Sequence, residues 1–183
     1  MMIRFSRCVM ALAAVALIAG CTKVTTLSRA DVNPRQLKLN DVIVDASGLE
    51  LVAEGRTITK TRDQLEQDLA AAITRLALER SDPNGTPADV NVTIDKLFLA
   101  PLADRAMAAN SFIESTISVT DAASGAIIIA PTQVKGNADT LRAIGALGAV
   151  GALLNADVET DYQNAVNGYA KSLIASLQAS AGG

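Results

Sequence analysis

Histidine and tryptophan are both missing from the 183 residues, only two cysteines are present, and aromatic side chains make up 3% of the chain. Without histidine there are no imidazole general bases, Ser-His-Asp triads, HExxH zinc sites or histidine-ligated metals. Positive charge is also short: 16 Lys and Arg stand against 19 Asp and Glu, a formal net charge of −3. Nothing is left over to neutralise a phosphate backbone, so nucleic acid is not an expected partner. Beyond residue 21 the aromatics are Phe98, Phe112, Tyr162 and Tyr169, too few for stacking platforms that read bases or sugars.

What is present is apolar. Half the residues are hydrophobic and 19% are charged, the composition of one modest globular domain with enough chain to build its own core. The start, MMIRFSRCVMALAAVALIAG, sets Arg4 and Arg7 ahead of an apolar run from Val9 to Ala19, a signal-peptide pattern. That run is far shorter than the roughly 20 residues needed to span a hydrocarbon core.

Leu17, Ile18, Ala19 and Gly20 stand directly before Cys21, and this string resembles the lipobox of bacterial lipoproteins. The resemblance is confined to residues 1–21. It implies recognition of Leu17, Ile18, Ala19 and Gly20 by a signal peptidase, cleavage after Gly20, and diacylation of the Cys21 thiol, usually with a third chain on the new amino group. Two or three acyl chains hold a protein at a bilayer where one is marginal, at about 0.8 kcal/mol per buried CH₂. An ordinary secretory signal that leaves Cys21 as a free thiol is the alternative. Thr22 rather than Asp follows the cysteine; by analogy with enteric lipoproteins this favours the outer membrane, facing the periplasm. Cys8 falls in the leader and Cys21 would carry lipid, so no disulfide, thiol nucleophile or cysteine-ligated metal is expected in the folded part.

The expected organisation is a signal peptide at 1–20, a lipidated N-terminus and flexible tether at 21–36, and a single α+β domain at 37–181. Residues 37–44 and 49–53 read as two short strands around the turn Asp45-Ala46-Ser47-Gly48. Leu65, Leu69, Ile73 and Leu76 place one apolar stripe on a helix over 62–80, with Thr61 and Gln64 as a capping box. Val90, Val92 and Ile94 alternate with polar residues before the phase slips near Asp95-Lys96, the mark of a strand with a bulge. Residues 112–120 and 126–135 flank a Gly-ended link and read as a hairpin, whose second arm Pro131 assigns to an edge or a break. Val158, Tyr162, Val166, Tyr169, Leu173 and Leu177 give a last helix over 158–179, with Thr160 and Gln163 as a second capping pair. This order makes a two-layer sandwich: an antiparallel or mixed sheet of about four strands with two helices packed on one face.

The segment 141–156, LRAIGALGAVGALLNA, sets Gly145, Gly148 and Gly151 three apart. It has neither the GxGxxG of a Rossmann turn nor the Gly-Lys-Ser/Thr of a P-loop. An internal packing helix, an interface with a partner, and membrane contact all remain open for it; an interface would use Gly145, Gly148 and Gly151 as points of close approach.

Asp157, Glu159 and Asp161 precede or open the last helix, where negative charge suits the positive end of the helix dipole. They complete no calcium loop. Ser111, Ser115 and Ser118 have no Lys at SxxK spacing. No catalytic residue, metal or cofactor is therefore expected. The sequence favours a non-catalytic, lipid-anchored envelope module that docks a protein partner through a sheet edge or the glycine-rich segment. The alternative is an auxiliary subunit or carrier that binds an apolar ligand between helices and sheet, in lipid transport or envelope assembly.

Overall fold

A computed structural model of the chain describes residues 37–49, 56–101, 104–105, 109–138 and 157–180. The expected leader, the lipobox-like string Leu17, Ile18, Ala19, Gly20 and Cys21, the expected tether, the expected strand from residue 50 on and the glycine-rich segment with Gly145, Gly148 and Gly151 lie outside the described residues.

Four strands and two helices follow one another as β1 (Leu37–Asp45), α1 (Arg62–Leu78), β2 (Thr86–Phe98), β3 (Phe112–Asp121), β4 (Ile127–Asn137) and α2 (Val158–Ser180). The strands lie in the sheet in sequence order, β1-β2-β3-β4. β1 runs parallel to β2 across the α1 crossover, while β2, β3 and β4 form an antiparallel meander, so the sheet is mixed. Helix α1 lies against β1, α2 lies against β3 and β4, and the helices touch each other. One sheet face is thereby covered, which is the α+β two-layer arrangement that the order of elements requires.

The period-2 pattern of β2 survives in three dimensions: Val90, Val92 and Ile94 are buried under the helices, and Thr93 and Asp95 are exposed. The register slips between Ile94 and Lys96, where the phase change in the sequence places a bulge, and Leu97 then turns inward. β2 begins at Thr86 rather than Val90 because Leu37, Lys38 and Leu39 pair with Thr86, Pro87 and Ala88. β4 is the far edge strand, where Pro131 needs no partner for its missing N–H. The link closes with Gly125 at φ +70°, a left-handed conformation that glycine adopts without a Cβ clash.

In α1 the Thr61 hydroxyl accepts from the Gln64 backbone N–H, and the Gln64 side chain accepts from Thr61 N–H, completing the capping box. The helix ends at Leu78, before Arg80. At the start of α2 the cap is Asp157, not Thr160: Asp157 Oδ2 accepts from Thr160 N at 2.9 Å and from its hydroxyl at 3.1 Å. Thr160 is already inside the first turn because Val158 belongs to the helix. The apolar stripes of both helices, Leu65, Leu69 and Ile73 with Tyr162, Val166, Tyr169 and Leu173, form the core with the inward side chains of the sheet.

Candidate functional site

Where α1 ends and α2 approaches its own last turns, the helices and the sheet leave a cavity of about 400 Å³. Its floor is the sheet: Ala88 and Val90 of β2 and Val119 of β3, all buried. Leu37 and Leu39 of β1 form one wall, and Ile174 and Leu177 of α2 form the other. Ala77, in the last turn of α1, completes the lining, and Arg80, Ser81 and Gln178 supply its polar groups. Two small side chains, Ala77 and Ala88, stand among the lining residues. A mostly apolar, partly open pocket with a few polar groups at one side is the general form of a small-molecule site, which spans about 300–1,000 Å³.

Arg80 is exposed, and its recorded partner is the Gln178 side-chain oxygen at 3.5 Å. Asp82, next along the chain, turns its carboxylate to the backbone N–H of Asn84 at 2.9 Å. Arg80 is thus the charged group among the residues lining the cavity.

A second cluster sits at the other end of α2. The Asp161 carboxylate is fully buried and is met by the guanidinium groups of Arg56 and Arg105. The Ser111 hydroxyl donates to Asp161 Oδ2 at 2.6 Å and accepts from Ala100 N at 2.9 Å. Burial lowers the pKa of both guanidinium groups, and the like charge of Arg56 lowers that of Arg105 further. Arg105 donates its backbone N–H to the Pro101 carbonyl at 3.0 Å. Asp161 therefore does more than decorate a helix dipole: it ties the segments around Arg56, Arg105 and Ser111 to the first turn of α2. Its oxygens are engaged by two cations and a hydroxyl. It also lies about 20 Å of helix axis from Ile174 at 1.5 Å rise per residue.

Ser115 shares a hydrogen bond with the buried Tyr169 hydroxyl. Ser118 pairs with Asn91 across the sheet, on the face away from the helices. No three carboxylate or cysteine side chains converge in metal-binding fashion among the described residues, and no described helix is long and apolar enough to cross a membrane.

Neither the cavity nor the Asp161 cluster is a sequence motif. The lining residues are scattered from Leu37 to Gln178, and Arg56 lies 105 positions from Asp161. One signal was available for Asp161: it falls three residues after Val158 and four before Ala165, on the buried stripe.

No family model matches the chain, and no curated protein matches it. Among solved structures it is similar to a Caulobacter crescentus CB15 protein named "putative lipoprotein", at 14% identity and a TM-score of 0.38, covering 82% of this chain and 94% of that one. It is similar to protein XCC0632 from Xanthomonas campestris, of family model DUF330, at 10% identity and a TM-score of 0.38, with 84% and 95% covered. A PelC variant dodecamer from Paraburkholderia phytofirmans matches at 14% identity and a TM-score of 0.31, with 74% and 92% covered. At these identities and scores none of them fixes a role for this chain.

Proposed function

We propose that the chain is a non-catalytic lipoprotein of the bacterial cell envelope, anchored through acylated Cys21 to the outer membrane and facing the periplasm, that carries an apolar ligand. The observation that carries this reading is the cavity between the helix ends and the sheet. Its position adds to its lining: Leu37 and Leu39 are cavity walls, and Leu37 is where the 21–36 segment joins the domain. Each methylene moved from water into such a pocket contributes about 0.8 kcal/mol, so six to eight methylenes supply roughly 5–6 kcal/mol before the costs of ordering the ligand.

The cavity is the reason for preferring the carrier to the docking module that the sequence favours, since a docking module has no need of an unfilled space under its helices. Gly145, Gly148 and Gly151 keep their proposed place as points of contact with an envelope protein that would deliver or receive the ligand. Asp161 does not support catalysis, since its neighbours hold it as a charge partner.

The test is membrane fractionation joined to lipid analysis. Wild-type protein should sediment with outer membranes and require detergent for release, whereas Cys21→Ala should leave that fraction and persist as an uncut or differently cut precursor. Organic extraction of the gently purified wild-type protein should yield a co-purifying apolar compound near one equivalent. An unacylated Cys21 by intact-mass spectrometry overturns the anchor, and an extract without such a compound from protein that also binds none added overturns the carrier.

A further inference from the structure

Resting on the carrier reading, we propose that the ligand is a single-chain amphiphile with an anionic head, and that Arg80 holds that head at the rim of the cavity. The lining divides by chemistry. Ala88, Val90, Val119 and Ile174 make an apolar interior, and the polar groups are Arg80, Ser81 and Gln178. A ligand that fills this site has an apolar tail and a polar head, and the charge it meets is positive.

Arg80 is available for the task. It faces solvent, and its hydrogen bond is to a neutral amide at 3.5 Å, weaker than a carboxylate or phosphate partner would give. Its planar fork suits bidentate recognition of either group. Ser81 and Gln178 stand beside it with neutral hydrogen-bonding groups. Arg80 is the charged residue of the lining, so its side chain decides the sign of head that is accepted. The volume, about 400 Å³, lies near the lower bound for small-molecule sites and suits one acyl chain rather than two.

A carboxylate and a phosphate head share this chemistry, and the experiment separates them. Affinity-immobilised full-length lipoprotein is offered radiolabelled palmitate, palmitoyl lysophosphatidate or hexadecanol, and the retained label is counted. The anions should be retained about tenfold better than hexadecanol, and Arg80→Gln should remove that advantage while leaving hexadecanol unchanged. Ala88→Leu, which occupies the floor, should lower retention of all three; if that variant does not fold, Ala77→Phe at the end of α1 serves the same purpose. Retention of one anion in preference to the other names the head. Equal retention of hexadecanol and palmitate, or anion retention indifferent to Arg80→Gln with Ala88→Leu still effective, overturns the anionic head and leaves the carrier standing. Retention of none of the three, or retention indifferent to the cavity-filling variants, overturns the carrier itself.

Discussion

At the scale of single residues, the buried carboxylate of Asp161 has consequences that its neighbours Asp157 and Glu159 lack. Asp157 caps α2 and Glu159 pairs with Lys60 at 2.9 Å, both on the exposed side of the helix. Asp161, one turn from Asp157, points inward to Arg56 and Arg105, whose side chains are only 12% and 7% exposed. Removing the charge from such a group strands two cations in a place where water cannot compensate them. Asp161→Asn, which keeps the shape, should therefore cost about 3–5 kcal/mol of stability, read as a lowered denaturant midpoint. A loss below about 1 kcal/mol, the range of surface pairs, would show the cluster to be solvated. The acidic triplet and its position ahead of a helix are legible in the sequence. Which of the three turns inward could be read from the wheel, but its partners could not, because they come from segments brought together only by folding.

At the scale of elements, the contact of α2 with β4 turns on Gly136. A Cβ built there would lie 2.2 Å from Tyr169 Cα and 2.9 Å from both Tyr169 N and Cβ. Those are atoms of the helix itself or fixed to it, so they cannot swing aside. Gly136→Ala must push α2 off the edge strand and loosen the Tyr169 hydrogen bond to Ser115. An overpacking cost of about 1–3 kcal/mol or more follows, measurable as a lower melting temperature, with faster exchange of the β4 amides. An unchanged melting temperature would mean that the helix does not seat on this strand. The hairpin, the edge placement signalled by Pro131, the bulge near Asp95 and both amphipathic helices are visible in the sequence because each depends on local period or turn chemistry. The extension of β4 through Gly136 is not, since glycine in a strand gains its purpose only from the helix above it. The parallel pairing of β1 with β2 is likewise a product of the α1 crossover, which strand composition leaves open between antiparallel and mixed sheets.

At the scale of the whole molecule, the core responds to alkali through two tyrosines. Tyr162 and Tyr169 are 1% and 0% exposed, and burial raises both phenol pKa values well above the ordinary 10.0. For Tyr162 the neighbouring Asp68, which accepts its hydroxyl proton at 2.9 Å, raises it further. Below pH 10 folded and unfolded chains both keep these protons. Above it the unfolded chain loses them first, so the folded state binds more protons and stability falls as pH rises. The denaturant midpoint should decline steadily above about pH 10, with tyrosinate absorbance appearing only together with unfolding. Replacing both by Phe should flatten that limb. Tyrosinate absorbance that grows near pH 10 in a still-folded protein would place the rings in solvent.

The sequence by itself determined the pieces: two helices with one apolar stripe each, an alternating strand with its slip, and a Gly-ended hairpin. These follow from periodicity, caps and turn residues, which act over a few neighbouring positions. Only the tertiary structure decided the site. A cavity is the space left between side chains of five elements, and a buried charge cluster is the meeting of residues up to 105 positions apart. Both depend on where the helices come to rest on the sheet, a property that packing sets and no local pattern encodes.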